Sequence, residues 1–140
     1  MGRDTRTGGV LESMVLPALY KGGYKYTIQV VIGKRLGGKN HRVDVLVSGF
    51  NGEQIPVSLK WQQTAGTAEQ KIPFEIMCLA DAVYNSNGKI PRAYLVLGGL
   101  GWTLREYYIS GKISQYVRNC EHVNVVSLET FVAKANKAQL

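Results

Sequence analysis

The chain predicts an α/β fold, a mixed central β-sheet flanked by helices on both faces, in the order α-β-β-β-α-β-α-β-α. Three observations carry this. Runs rich in β-branched and aromatic residues alternate with stretches of helical spacing. Asn51-Gly52, between two such runs, is a strong hairpin signal and makes those strands antiparallel neighbours. The later strands are each separated by a helix, which makes that part of the sheet parallel. The 140 residues fit one domain, 1–140, and 45% apolar content suffices for a core.

The first helix lies in "GGVLESMVLPALYKGGY", with Leu11, Met14, Val15 and Leu19 at helical spacing. Pro17 kinks it or tightens its last turn, and Gly22-Gly23 ends it. "YKYTIQVVI", 24–32, is a strand, followed by "RVDVLVSG" and "IPVSLKWQQ". In "TAEQKIPFEIMCLADAVYNSNG", Thr67 and Gln70 make a capping box. Pro73 sets the start of the main helix near residue 72, with Glu75 in its first turn. "RAYLVLGG", 92–99, is apolar on both faces and therefore central. "WTLREYYISGKISQYV" reads as a glycine-interrupted helix, and "VNVVSLETFVAKANKAQ" as a short strand and a helix capped by Ser127.

Composition narrows the function. No apolar run reaches the ~18 residues of a membrane span. "MGRDTRTGG" lacks a signal peptide's apolar segment and does not fit a myristoylation site. The expectation is a protein of the cytoplasm or nucleoid, neither secreted nor membrane-bound. Cys78 and Cys120 read as two reduced thiols. With His41 and His122 they match the spacing of no zinc module. Seventeen basic against ten acidic residues give +7, which favours a polyanionic partner, most often nucleic acid. "GKRLGGKNHR", 33–42, concentrates Lys34, Arg35, Lys39 and Arg42 without an acid, and its three glycines let backbone approach a phosphate. "GGLGW" fits neither GxGxxG nor the Walker pattern, and "NH" at 40–41 is too little for an HNH nuclease.

Within "VSLKWQQ", Lys60 interrupts an inner strand, where a lysine needs a partner. By alternation Ser58, Lys60 and Gln62 share one face, and Asp44 points away from Val43, Val45 and Val47. A two-residue turn at Asn51-Gly52 would put Asp44 opposite Leu59, on the apolar face. A three-residue loop, Phe50-Asn51-Gly52 with Gly52 left-handed, puts it opposite Ser58 and diagonal to Lys60. The second register is preferred, because burying an unpartnered aspartate costs several kcal/mol.

This order of elements, with Arg42-Val43-Asp44 on one strand and Ser58-Leu59-Lys60 on the next, resembles the PD-(D/E)XK nuclease superfamily. The group includes type II restriction enzymes, Holliday-junction resolvases and some homing endonucleases. The resemblance implies a restriction-endonuclease-like fold. It places Asp44 as the first acid, Lys60 as the lysine and Glu12 as the first-helix glutamate. Serine stands at 58, where the family has its middle carboxylate. A subgroup of restriction enzymes has this same serine and takes its second acid from the following helix. Glu75 is preferred for that role over Glu69, which a helix cap would explain. A third arrangement has Glu12 and Asp44 holding the metal, assisted by Gln62.

The implied activity is a metal-dependent endonuclease acting on double-stranded DNA, sequence-specific in the manner of homing, phage-type or restriction enzymes. Carboxylates would bind Mg²⁺, or Mn²⁺ in its place, to polarise the phosphate and activate a water that Lys60 orients or deprotonates. Lys34, Arg35, Lys39, Arg42 and Ser58 would contact the DNA. Cutting both strands calls for a homodimer or homotetramer. A Holliday-junction resolvase, or a non-catalytic nucleic-acid-binding protein on a degenerate nuclease fold, is the alternative.

Overall fold

A computed structural model of the protein describes residues 6–140; the readings made for Met1–Thr5 lie outside them. The elements are α1 (Arg6–Val10) and α2 (Leu16–Lys21), then strands β1 (Lys25–Lys34), β2 (Asn40–Ser48) and β3 (Gln54–Trp61). There follow α3 (Ile72–Tyr84), β4 (Ala93–Gly98), α4 (Arg105–Ile109), β5 (Val123–Ser127) and α5 (Leu128–Asn136). The sheet runs β1-β2-β3-β4-β5, antiparallel through β3 and parallel from β3 to β5. This is the expected mixed α/β sheet.

Leu11–Val15, between α1 and α2, is a π turn closed by a bond from the Leu16 N–H to the Leu11 carbonyl. The wide turn sits just before Pro17, which has no N–H to give to the regular helical ladder. Leu11, Val15, Ala18 and Leu19 of this helical run pack with Val45, Val57, Leu59, Tyr94 and α5's Phe131 on one sheet face. On the other face Ile72, Ile76 and Leu79 of α3 meet Val43, Leu95, Leu97 and Tyr108. β4 is buried along its whole length, as its unbroken apolar run predicts.

The β2–β3 hairpin has the three-residue loop. Gly49 N–H donates to the Glu53 carbonyl at 2.8 Å, and Gly52 lies between them at φ +82°. α3 begins at Ile72 with Pro73 in its first turn, as expected.

The capping box does not form. Thr67 is in helical conformation (φ −93°, ψ −3°), so its side chain cannot cap, and Ala68–Lys71 is a 3-10 turn. The helix predicted across 102–117 reduces to α4 and a 3-10 turn, broken at Gly111 (φ +80°). Ser127 caps α5 as predicted, accepting from the Thr130 N–H at 3.1 Å.

"GGLGW" is architectural. A Cβ on Gly99 would meet the Gln62 carbonyl oxygen at 2.3 Å, and one on Gly101 the Thr64 backbone at 2.5 Å. Only glycine lets this segment run backbone against backbone past the end of β3.

Candidate active site

The β2–β3 ladder holds from Ser48↔Gln54 to Val45↔Val57. Carried one residue further, the same register sets Asp44 against Ser58, as the three-residue loop requires. There the strands part. In place of a backbone rung, Asp44 Oδ2 accepts the Leu59 N–H at 2.7 Å. Ser58, 4% exposed, is buried at the fork. Lys60 reaches forward to the first turn of α3, with Nζ 3.5 Å from Glu75 Oε1.

Asp44, Lys60 and Glu75 therefore form one electrostatic cluster. Burial holds the Asp44 carboxyl above its usual pKa and outweighs the rest. The Leu59 N–H, the Lys60 charge and a hydrogen bond from the Gln29 side chain pull it down, and the Glu75 charge adds to the rise. Lys60 is paired with Glu75, and the charges of both act on Asp44. Among the described residues no three His, Cys, Asp or Glu side chains gather as a metal cage. A pair of carboxylates suits Mg²⁺, which keeps several waters and uses one or two acids plus substrate phosphate.

Other residues singled out by the sequence lie elsewhere. Glu69, 6% exposed, takes the Thr103 N–H, the Leu104 N–H at 3.4 Å and Gln62 Nε2 at 3.2 Å. Gln62 Nε2 also donates to the Gly101 carbonyl at 2.8 Å. Both side chains brace the loop after β4, because β3 ends at Trp61 and its alternation does not extend to Gln62. Glu12 is exposed, makes no ion pair among the described residues, and is absent from the charges that act on Asp44.

The basic loop lies alongside α3. Arg35 sits over the Phe74 ring, 5.6 Å from its centroid, and Lys34 Nζ donates to Asn40 Oδ1 at 2.7 Å. Arg42 donates to the Gln29 carbonyl at 2.9 Å, whereas Lys39 is exposed without such a bond among the described residues. The four cysteine and histidine side chains do not assemble: both thiols are free and buried, and His122 faces Glu121 at 3.9 Å.

Two residues were not legible as parts of this site. His41 is 4% exposed, with neither ring nitrogen hydrogen-bonded among the described residues. Burial lowers its pKa most, Glu75 and Asp81 act the other way, and Arg35 and Lys60 add to the lowering. Gln29, in the middle of β1, has φ +51°. No glycine or turn signal marks it.

The family model of the PD-(D/E)XK nuclease superfamily domain matches residues 3–139. No curated protein matches the sequence significantly. The crystal structure of the protein of unknown function AF1548 is similar in fold, with a TM-score of 0.50 at 12% identity over 81% of this chain. The likeness covers 54% of that protein, so this chain spans about half its length.

Proposed function

The chain belongs to the PD-(D/E)XK nuclease superfamily, and from that premise we propose that it is a Mg²⁺-dependent endonuclease hydrolysing double-stranded DNA, with Mn²⁺ able to substitute. The observation that carries this is the Asp44–Lys60–Glu75 cluster at the fork of β2 and β3. Asp44 and Glu75 would hold the metal. When bound, such an ion polarises the scissile phosphate and lowers the pKa of a water. Lys60 Nζ is paired with Glu75 and its charge acts on Asp44; from there it would orient the attacking water and offset charge on the phosphate. The Leu59 N–H fixes the Asp44 carboxylate, so that little reorganisation is needed on binding. Net charge +7 and the basic loop beside α3 fit a nucleic-acid backbone as substrate. One such site cuts one strand, so cleavage of a duplex calls for two copies, in a homodimer or homotetramer. Among the described residues no helix is long and apolar enough to cross a membrane.

Buried Ser58, in place of the middle carboxylate, favours the second reading, a binding protein on a degenerate nuclease fold. Plasmid and four-way-junction DNA incubated with Mg²⁺, Mn²⁺ or EDTA separates the two. Metal-dependent nicking or linearisation that disappears in Lys60→Ala is expected. Tight DNA binding without cleavage in either metal establishes the binding protein instead. Preferential cutting of the junction would make the enzyme a resolvase.

A further inference from the structure

β1 and β2 keep one register on both sides of Gln29, with rungs Ile28↔Val45 and Val30↔Val43. The pair between them, Gln29 and Asp44, has no rung. Both strands also change faces there. On β2, Val45 and Val47 pack into the core under α1 and α2, but Val43 packs into the core under α3. On β1, Tyr26 belongs to the first core and Ile32 to the second. Regular alternation would put Val43 with Val45 and Tyr26 with Ile32. No residue is inserted between the flanking rungs, so the reversal is absorbed by backbone conformation. Gln29 at φ +51° is the residue that absorbs it. A left-handed glutamine in mid-strand is costly and persists only where its surroundings enforce it. Here Arg42 holds the Gln29 carbonyl at 2.9 Å, and the Gln29 side chain lies close enough to Asp44 to lower its pKa.

We propose that Gln29 is the positioning residue of the active site: its left-handed backbone turns the β1–β2 ribbon over at Asp44 and aims that carboxylate across the fork at the Leu59 N–H. Gln29 touches no reacting atom; it acts through Asp44. The link to catalysis rests on the nuclease reading above, whereas the link to the Asp44–Leu59 bond does not.

The test uses the full chain and two readouts. Amide hydrogen exchange at Leu59 reports the bond to Asp44 directly, and calorimetric titration with Mn²⁺ reports the site. Glycine and asparagine tolerate φ > 0, whereas valine does not. In Gln29→Val, Leu59 exchange should accelerate at least about tenfold while Val96 and Leu97 in β4 stay protected, and Mn²⁺ affinity should fall about tenfold or more. Gln29→Gly and Gln29→Asn should hold Leu59 protection within about threefold of wild type. If Gln29→Val does not fold, Gln29→Ala should show a smaller change in the same direction. Unchanged Leu59 protection in the folded valine or alanine variant overturns the proposal, as does a glycine variant as impaired as valine. Should wild type fail to bind Mn²⁺ while the Leu59 pattern holds, the nuclease reading falls and the positioning role of Gln29 stands.

Discussion

Two polar clusters lie within a few residues of the end of β3, and their bonding differs. In one, the Glu69 carboxylate accepts from two backbone N–H groups and from Gln62, whose amide also reaches Gly101. The Tyr108 hydroxyl closes this network on the Glu69 carbonyl at 2.9 Å. In the other, among the described residues, Asp44 accepts one backbone N–H, Glu75 is paired with Lys60, and the two acids repel. Each cluster contains a glutamate, Glu69 from the turn before α3 and Glu75 from the first turn of α3. A buried carboxylate whose lone pairs are filled by its own chain serves the architecture. One left underfilled beside a like charge has capacity for a ligand, which is the role proposed for Asp44 and Glu75. The contrast separates Glu69 from Glu75, which lie only six residues apart.

The sharpest way to break the contrast is to remove one acid from each cluster. Asp44→Asn and Lys60→Ala should lower the cleavage rate by about 10²–10⁴-fold with folding intact. Glu69→Ala should do the reverse. It strands the Thr103 and Leu104 N–H groups and leaves Gln62 Nε2 with Gly101 alone, so stability should fall by about 2–3 kcal/mol while folded enzyme still cuts. A stable but inactive Glu69→Ala would assign Glu69 to the site. Glu75→Gln should lose activity mainly at low Mg²⁺, and Ser58→Glu on that background should restore part of it if the two positions supply one ligand. Wild-type cutting by Glu75→Gln would remove Glu75 from the metal set.

Stability against pH sharpens the same contrast. The folded-state pKa of Asp44 is raised, so its protonated form favours folding below the unfolded value of 3.8, and that stabilisation is lost as pH rises through the folded pKa. At neutral pH the ionised Asp44 is then a net cost to the metal-free protein. Asp44→Asn, which keeps an acceptor for the Leu59 N–H, should raise Tm at pH 7, by roughly 2–5 °C. Mg²⁺ should raise Tm of wild type and not of Asp44→Asn. A lower Tm in the asparagine variant would mean that Asp44 is already fully compensated by its own chain.

His41 titrates in the opposite sense. Its folded pKa is lowered, so below the unfolded value of 6.5 the unfolded chain binds the proton more readily and stability falls as pH drops. Urea midpoints of wild type should decline between about pH 6.5 and 5 relative to those of His41→Leu. The leucine variant should be the more stable one throughout, since it buries no unpaired ring nitrogen. Parallel midpoint curves for the two proteins would show that His41 finds a partner in solution.

The sequence was legible where local chemistry decides the structure. Asn51-Gly52 and the cost of a stranded aspartate selected the hairpin register, and Pro73 located α3 and with it Glu75. It was not legible where tertiary contacts override a local pattern. Thr67-x-x-Gln70 has the letters of a capping box, but the connection from β3 enters the turn already helical. Gln62 continues the alternation of Ser58 and Lys60 on paper, but the strand ends one residue earlier. The reversal at Gln29 leaves no trace in composition, because the residue adopting φ > 0 is not glycine.

The smallest effects belong to the basic loop, and its four cations divide along the same line of filled and unfilled bonds. Arg42 is used by the fold through the Gln29 carbonyl. Arg35 lies on Phe74, and Lys34 is bonded to Asn40. Lys39 is exposed and has no such bond among the described residues, so it is the one of the four best placed to meet a phosphate. Each phosphate contact releases condensed counterions, and losing one should flatten log Kd against log salt by about 0.9. Lys39→Gln should show close to that full unit. Lys34→Gln should show less, because the ammonium is already shared with Asn40. Arg42→Gln should leave the slope nearly unchanged and instead weaken Mn²⁺ binding, through the loss of its hold on Gln29. The measurement is DNA binding in Ca²⁺ across a salt series, so that cleavage does not interfere. Equal slope losses for Lys39 and Arg42 would show that Arg42 leaves Gln29 when DNA arrives, and that the filled bond at Gln29 belongs to the free protein alone.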